Sequence, residues 1–556
     1  MTPFEHEIDE LLTQAEALLH DARPMDALPL LERARTLMPH NAWVSLFRGV
    51  ALGQLGRVDE AVEQLLSAAD QNTDDLDIQV DAARHLCLLE FAQDALVCAE
   101  RAIDLDPTDA GAHLIYAEAL ERLGRIAEAL PIRELAQSLD ADDLDNLYYL
   151  ALDLCELGRH EDALDIADPL CVECADDPDI LRLVGACLSY LGRHQDALSR
   201  WAEIERLEGV SANLLHNRAS TLDAMGRSDE ALVTIDQAIL ADPEMAINYY
   251  TRGMIHEHVG DEAAAIEDYL CVLALDPAYL DAVINIVELA TATGESTTVL
   301  ARIAHLREAE PTSAHLHYAA GRLAVEAGDL PQGIESLEAA VSREPALGVG
   351  WYSLSMLYAF NGDFEQAIQA TDQAMRAYPD DAGLWLNRGL ALHELKRFEE
   401  AAAAYDQACR MTPEDGMPWF HLGRLLLLDL ERPRDARGAL REALHWQPEH
   451  DAVLWMLALC HLRLGEILEA TTLLETLFHQ YPDHLWGWLV RAARDAQLQH
   501  LESAVAGIKC AVAQGYDPRL LLNEPLFAPL REYAPFTRVI EDATRTQTKK
   551  SRPRRR

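Results

Sequence analysis

Lysine is almost missing from this chain. Only Lys396, Lys509, Lys549 and Lys550 occur, and every other basic side chain that is not histidine is arginine. With 46 Lys and Arg against 94 Asp and Glu, the formal net charge is −48. A surface of that sign repels nucleic acid and anionic lipid and favours basic or neutral partners. GC-rich coding accounts for the shortage of lysine, with a high-salt cytoplasm as the alternative. Also missing is any apolar run long enough to span a bilayer. The opening "MTPFEHEIDELLTQAEALLH" has neither the basic start nor the apolar core of a signal peptide. Ten cysteines at irregular spacing read as buried thiols in a reducing compartment. The expected location is the cytoplasm.

Catalytic signatures are lacking too. No G-x-S-x-G and no G-x-x-x-x-G-K-[ST] occurs, and scarce lysine disfavours a phosphate cradle. "HELKR" at 393–397 has arginine where a zinc-protease helix needs its second histidine. His256 and His258 are two apart and point to different faces of a helix. Cys171 and Cys174 form a CxxC, with Cys155, Cys187, His160 and His194 in neighbouring stretches, but a second CxxC is missing. Zinc needs four converging ligands. The expectation is therefore no metal, no cofactor and no enzyme activity.

What the chain does have is a period. Counting in steps of 34 from Ala27 meets alanine at each position through Ala265, then Val299 and Gly333, then Ala367 and Ala401. One extra residue, placed within "DLERPRDARG", shifts the register to Ala436, Ala470 and Ala504. Thirteen of fifteen positions are alanine, where chance would give about two. Proline follows twelve residues later at ten of them, from Pro39 to Pro482. Each unit reads as two amphipathic segments joined at a glycine such as Gly226, which can take positive φ and end the first helix. Alanine marks where two helices approach closely, and proline stops the second. Such a pair buries its apolar face only by stacking on its neighbours. The unit 76–109 departs from this with Glu90-Phe91 at the joint. The unit 280–313 departs with "TGESTTV", where looser packing is expected, and Pro29 and Pro131 fall inside second helices.

"WLNRGLALHELKRFEEAAAAYDQACRMTP", through Trp385, Gly389, Ala401, Tyr405, Ala408 and Pro413, resembles the tetratricopeptide repeat family. The resemblance implies an all-α fold, a right-handed superhelical solenoid of about fifteen helix-turn-helix repeats with a C-terminal capping segment. The expected organisation is a lead-in at 1–7, the array at 8–518, the cap at 519–542 and a basic disordered tail at 543–556. In the cap, Leu526, Leu530, Phe536, Val539 and Ile540 are the residues available to cover the last repeat.

In this family the first helices line a concave surface. Carried onto this chain, repeat position six supplies Asn217, Asn285 and Asn387, whose amides offer a donor and an acceptor to a peptide group. Position five supplies Tyr148, Tyr250, Tyr318, Tyr352, Phe420 and Trp455, surfaces suited equally to binding hot spots and to packing between repeats. Position two is acidic in Asp9, Asp77, Asp145, Asp179 and Asp281. Trp351, Trp385, Trp419 and Trp488, at position four, read as packing between repeats. The resemblance implies a non-catalytic protein–protein interaction scaffold or adaptor holding an extended peptide or protein partner. An accessory subunit or assembly chaperone of a catalytic or secretion complex is the alternative. Nucleic acid is not an expected partner, membrane insertion is not expected, and no homo-oligomer is predicted.

Overall fold

Nine first helices begin on the same chemistry. Asn41, Asp75, Asp109, Asp143, Asp177, Ser211, Ser313, Asp381 and Asp415 each accept a backbone N–H of the first turn on a side-chain oxygen. Each such cap is worth about 1 kcal/mol. The second helices stop just short of the periodic proline, as Ala92–Leu105 does before Pro107 and Phe398–Met411 before Pro413. The structure, a computed structural model, describes the backbone of residues 3–174 and 176–550. Among the described residues, thirty α-helices between 3 and 513 form fifteen consecutive pairs, and no strand occurs. The fold is all-α, a solenoid of helix pairs.

The joint inside each pair shows how local geometry outranks residue type. Ten glycines, from Gly56 to Gly465, hold φ between 72° and 88° there. At the five remaining joints the same left-handed backbone is carried by Ala22, Glu90, Lys396, Glu431 and Gln499, with φ from 51° to 68°. A non-glycine residue in that region costs roughly 1–2 kcal/mol, so the stacked helices on either side impose the conformation. The inserted residue lies in the joint at 429–432, between helices Gly416–Leu428 and Pro433–Trp446. Proline sits inside a helix at Pro29 and Pro131 as the sequence indicated, and also at Pro169.

The periodic alanines are buried at 2% exposure or less. Opposite them, a second set of small residues lets large side chains through. A Cβ on Gly389 would lie 2.5 Å from ring carbons of the buried Tyr405, and one on Gly185 would lie 2.6 Å from Trp201. Gly389→Ala is therefore expected to destabilise the chain by about 1–3 kcal/mol through overpacking. A lower denaturant midpoint, partly restored by adding Tyr405→Leu, checks this; an unchanged midpoint would contradict the packing account.

The chain divides into two compact units, Met1–Asp268 and Tyr269–Arg556. In the first, the apolar core passes from pair to pair as successive clusters, around Leu46, Leu86 and Leu120 and then Leu154 and Val184. In the second, Ser296–Ala309 packs more on the following helix Ala314–Glu326 than on its own partner Leu280–Thr293. That is the unit in which valine replaces the periodic alanine. After the last pair come two 3-10 turns, Pro518–Leu522 and Pro525–Leu530, and a final helix, Ala534–Lys550. Leu526, Phe527, Leu530 and Phe536 are buried, and Val539 and Ile540 are half-buried. The first helix, Pro3–His20, takes in part of the segment assigned to a lead-in, and the last takes in part of the assigned tail. Residues 551–556 of that tail lie outside the described residues.

Candidate functional site

Two of the four tryptophans at position four tie their pair to the end of the one before. Trp351 Nε1 donates to the carbonyl of Pro345 at 2.9 Å, and Trp419 Nε1 to that of Pro413 at 3.0 Å. One residue further along the same helices, the environments diverge. Tyr318 is buried, and its hydroxyl accepts from Arg322 at 3.1 Å. It packs inside its unit, the second of the two readings that its repeat position left open. Tyr250, Tyr352 and Phe420 are half-buried, with Phe420 against the His450 ring at 5.0 Å. Asn217, Asn285 and Asn387 are also half-buried, and the Asn285 amide donates to the Tyr269 hydroxyl at 3.3 Å.

Within the first unit, Asn217 shares a cavity with Tyr148, its walls contributed by helices Leu144–Glu156, Pro178–Tyr190 and Ala212–Ala224. Burial, reinforced by Asp179, pushes the Tyr148 hydroxyl above its ordinary range, so it stays a neutral hydrogen-bonding group. Asp179 also lines this cavity, but its carboxylate accepts from Arg182 at 2.6 Å. The acid at that position is engaged within the chain. Asp9, Asp77, Asp145 and Asp281 are exposed.

Within the second unit, Trp455 does not stand alone. It is buried at 8% exposure, its ring stacked on Trp486 at 5.3 Å and 18°. Trp486 in turn meets Tyr516 edge-on at 5.9 Å. These rings, with Leu459, Leu489 and Phe527, line an open, mainly apolar cavity of about 470 Å³ edged by Arg424, Arg463 and Glu524. Arg463 donates to the carbonyl of Leu427 at 2.7 Å, which fixes it at the rim. Trp486 remains 46% exposed, a large aromatic face left open to a ligand. The sequence reading missed it. The signal was present, because Trp486 occupies repeat position two, where acids alone were sought.

A buried charged cluster also escaped the sequence reading. Arg133 Nη2 donates to Glu121 Oε2 at 2.8 Å, and Arg133 Nε lies 3.1 Å from Asp153 Oδ2. Its guanidinium rests over the Tyr149 ring at 5.0 Å. The CxxC pair, Cys171 and Cys174, is not brought into a ligand set; among the described residues the one compact His/Cys/Asp/Glu group is Cys155, His160 and Cys187. No helix among them is long and apolar enough to cross a membrane.

No curated protein sequence matches the chain significantly. Among solved structures it is similar to the APC/C hetero-tetramer Cut9–Hcn1, at 17% identity and TM-score 0.36, over 81% of this chain and 96% of that one. It is similar to YrrB, a TPR protein with an unusual peptide-binding site, at 22% identity and TM-score 0.31, over 36% of this chain and 98% of that one. Yeast Tom70 aligns at 15% identity and TM-score 0.29, over 89% of this chain and 99% of that one. Sequence descriptions of the tetratricopeptide repeat match residues 14–84 and 427–492, and 81–143, 216–279 and 352–416, together more than half of the chain. With its fifteen helix pairs and 34-residue period, the chain belongs to the tetratricopeptide repeat family.

Proposed function

We propose that this chain is a non-catalytic adaptor that holds an extended segment of a protein partner on its first-helix faces. The family to which it belongs consists in general of protein–protein interaction scaffolds. The observation that carries the finer reading is the open aromatic cavity formed by Trp455, Trp486 and Tyr516. A partner segment with an apolar or aromatic anchor would bury that side chain there, while the half-buried amide of Asn387, in the same unit, hydrogen-bonds its backbone. The preformed helices lower the ordering cost on this side of the interface. A net charge of −48 favours a partner segment that is basic around its anchor.

The test is calorimetric titration of the full chain with the partner recovered by pull-down and mass spectrometry. Asn387→Ala removes the two hydrogen bonds, as donor and as acceptor, that its amide offers a peptide group, worth about 1 kcal/mol each. Affinity is expected to fall roughly tenfold or more, with helicity unchanged because alanine is the better helix former. Deleting residues 549–556 is expected to leave affinity nearly intact at physiological salt, where exposed charges are screened within about 8 Å. Normal binding by the Asn387 variant, together with loss on deleting the tail, would overturn the reading.

A further inference from the structure

Cys155 ends the first helix of one pair, Leu144–Glu156, and Cys187 lies on the first helix of the next, Pro178–Tyr190. Their Sγ atoms approach to 2.8 Å. His160, at the start of the intervening helix, has a ring nitrogen within 4.8 Å of both sulfurs. Its ring stacks on Tyr190 at 4.4 Å with the planes 5° apart, and its Nδ1 is buried without a hydrogen-bond partner. Cys155 is half-buried and lines the cavity that holds Asn217, whereas Cys187 is wholly buried behind it.

Two chemistries compete for such a group. Two thiolates on one zinc ion, each about 2.3 Å from the metal, stand roughly 3.8 Å apart in a tetrahedral site. The observed separation is a full ångström too short for that. A sulfur–sulfur bond is about 2.05 Å long, so the pair is nearer to bonding distance than to metal-bridging distance, and no fourth ligand joins the cluster. The geometry points to covalent chemistry.

We propose that Cys155 and Cys187 form a thiol–disulfide modification site, in which Cys155 is attacked from the cavity by a low-molecular-weight disulfide and Cys187 resolves the adduct. The Cys155 thiolate bonds to one sulfur of the reagent, whose S–S bond breaks and whose other half leaves as a thiolate. His160, which took the Cys155 proton, passes it to that leaving thiolate; it then takes the proton of Cys187, whose sulfur attacks Cys155 Sγ and displaces the second half. Two electrons pass from the cysteines to the reagent, and the two thiol protons end on the two released thiols. The electrostatics agree with these roles. The hydrogen bond from Cys187, then the hydrogen bond and charge of His160, bring the Cys155 thiol down to about 6 against the opposing effects of burial and Glu156. The hydrogen bond to Cys155 and burial push Cys187 up. Elsewhere burial pushes Cys98 and Cys460 up to about 11, and Cys87 and Cys409 up to about 12, leaving them inert. A partly accessible, acidified thiol with a resolving partner is the arrangement of redox-responsive cysteines.

The experiment treats the reduced full chain, with the exposed Cys271 replaced by serine, with glutathione disulfide. Intact mass is expected to fall by two hydrogens without an added glutathionyl group, and peptide mapping to find Cys155 joined to Cys187. In Cys187→Ser, or in Cys187→Ala where serine unsettles the packing, a stable glutathionyl adduct is expected on Cys155. In Cys155→Ser, Cys187 is expected to stay unmodified. No modification at Cys155, or adducts spread evenly over Cys171, Cys174 and Cys510, would overturn the proposal. So would one tightly bound zinc per reduced chain that is lost in Cys155→Ser, since that outcome assigns the cluster to metal.

Discussion

Replacing Arg133 with alanine is expected to cost about 3–5 kcal/mol of stability. Arg133 and Asp153 are each buried at 4% exposure, and Asn146 beside them at 2%. The guanidinium serves Glu121, Asp153 and the Asn146 side-chain oxygen at once. Without it, two carboxylates would face each other in a site that already disfavours charge. Asp153 shows the strain before any substitution, because burial first and then Glu121 push its carboxyl up to about 7. The sign of the pH dependence follows. The folded state holds this proton more tightly than the unfolded chain does, so the contribution of Asp153 is fullest near pH 4 and is lost as pH rises through about 7. Asp153→Asn is expected to remove that slope. Denaturant unfolding of the three proteins between pH 4 and pH 8 measures both effects. An Arg133→Ala midpoint equal to the parent's would show that the cluster contributes nothing.

Trp486→Ala is expected to weaken partner binding by about 30-fold or more, which corresponds to a hot-spot loss of at least about 2 kcal/mol. Trp486 presents an open face and rests on Trp455, which is itself supported from below, so truncation removes contact area while leaving the core in place. Trp201 provides the contrast. It is buried at 2% exposure, and its Nε1 donates to Thr221 Oγ1 at 3.0 Å. Trp201→Ala is expected to lower the unfolding midpoint instead. Calorimetry on both variants, with circular dichroism to verify helicity, separates the two roles. Full affinity in Trp486→Ala would remove the aromatic cavity from the interface.

The helix pairs were legible because their determinants are local and periodic. Alanine, joint glycine and terminating proline each report a steric requirement that recurs every 34 residues. What is set by neighbours was not legible. Tyr148 and Tyr318 share a repeat position, yet one borders a cavity and the other is buried with Arg322 of its own helix, a difference that the repeat position does not encode. Glu90 and Lys396 look like interruptions of the joint, but the backbone there is the same as at Gly226. Cys155 and Cys187 are 32 residues apart, and only the stacking of successive first helices shows that they meet. The CxxC drew attention away from them by its spacing alone.

The weakly paired helices Leu280–Thr293 and Ser296–Ala309 bear on how the chain unfolds. A stack held together only from neighbour to neighbour transmits cooperativity no farther than its weakest seam. Here, however, Leu280–Thr293 also packs directly on Ala314–Glu326, so a fluctuation that parts the two members of this pair leaves successive first helices joined. The pair can open locally while its first helix stays stacked on the next one. Thermodynamically, this pair is a site of local opening within the second unit.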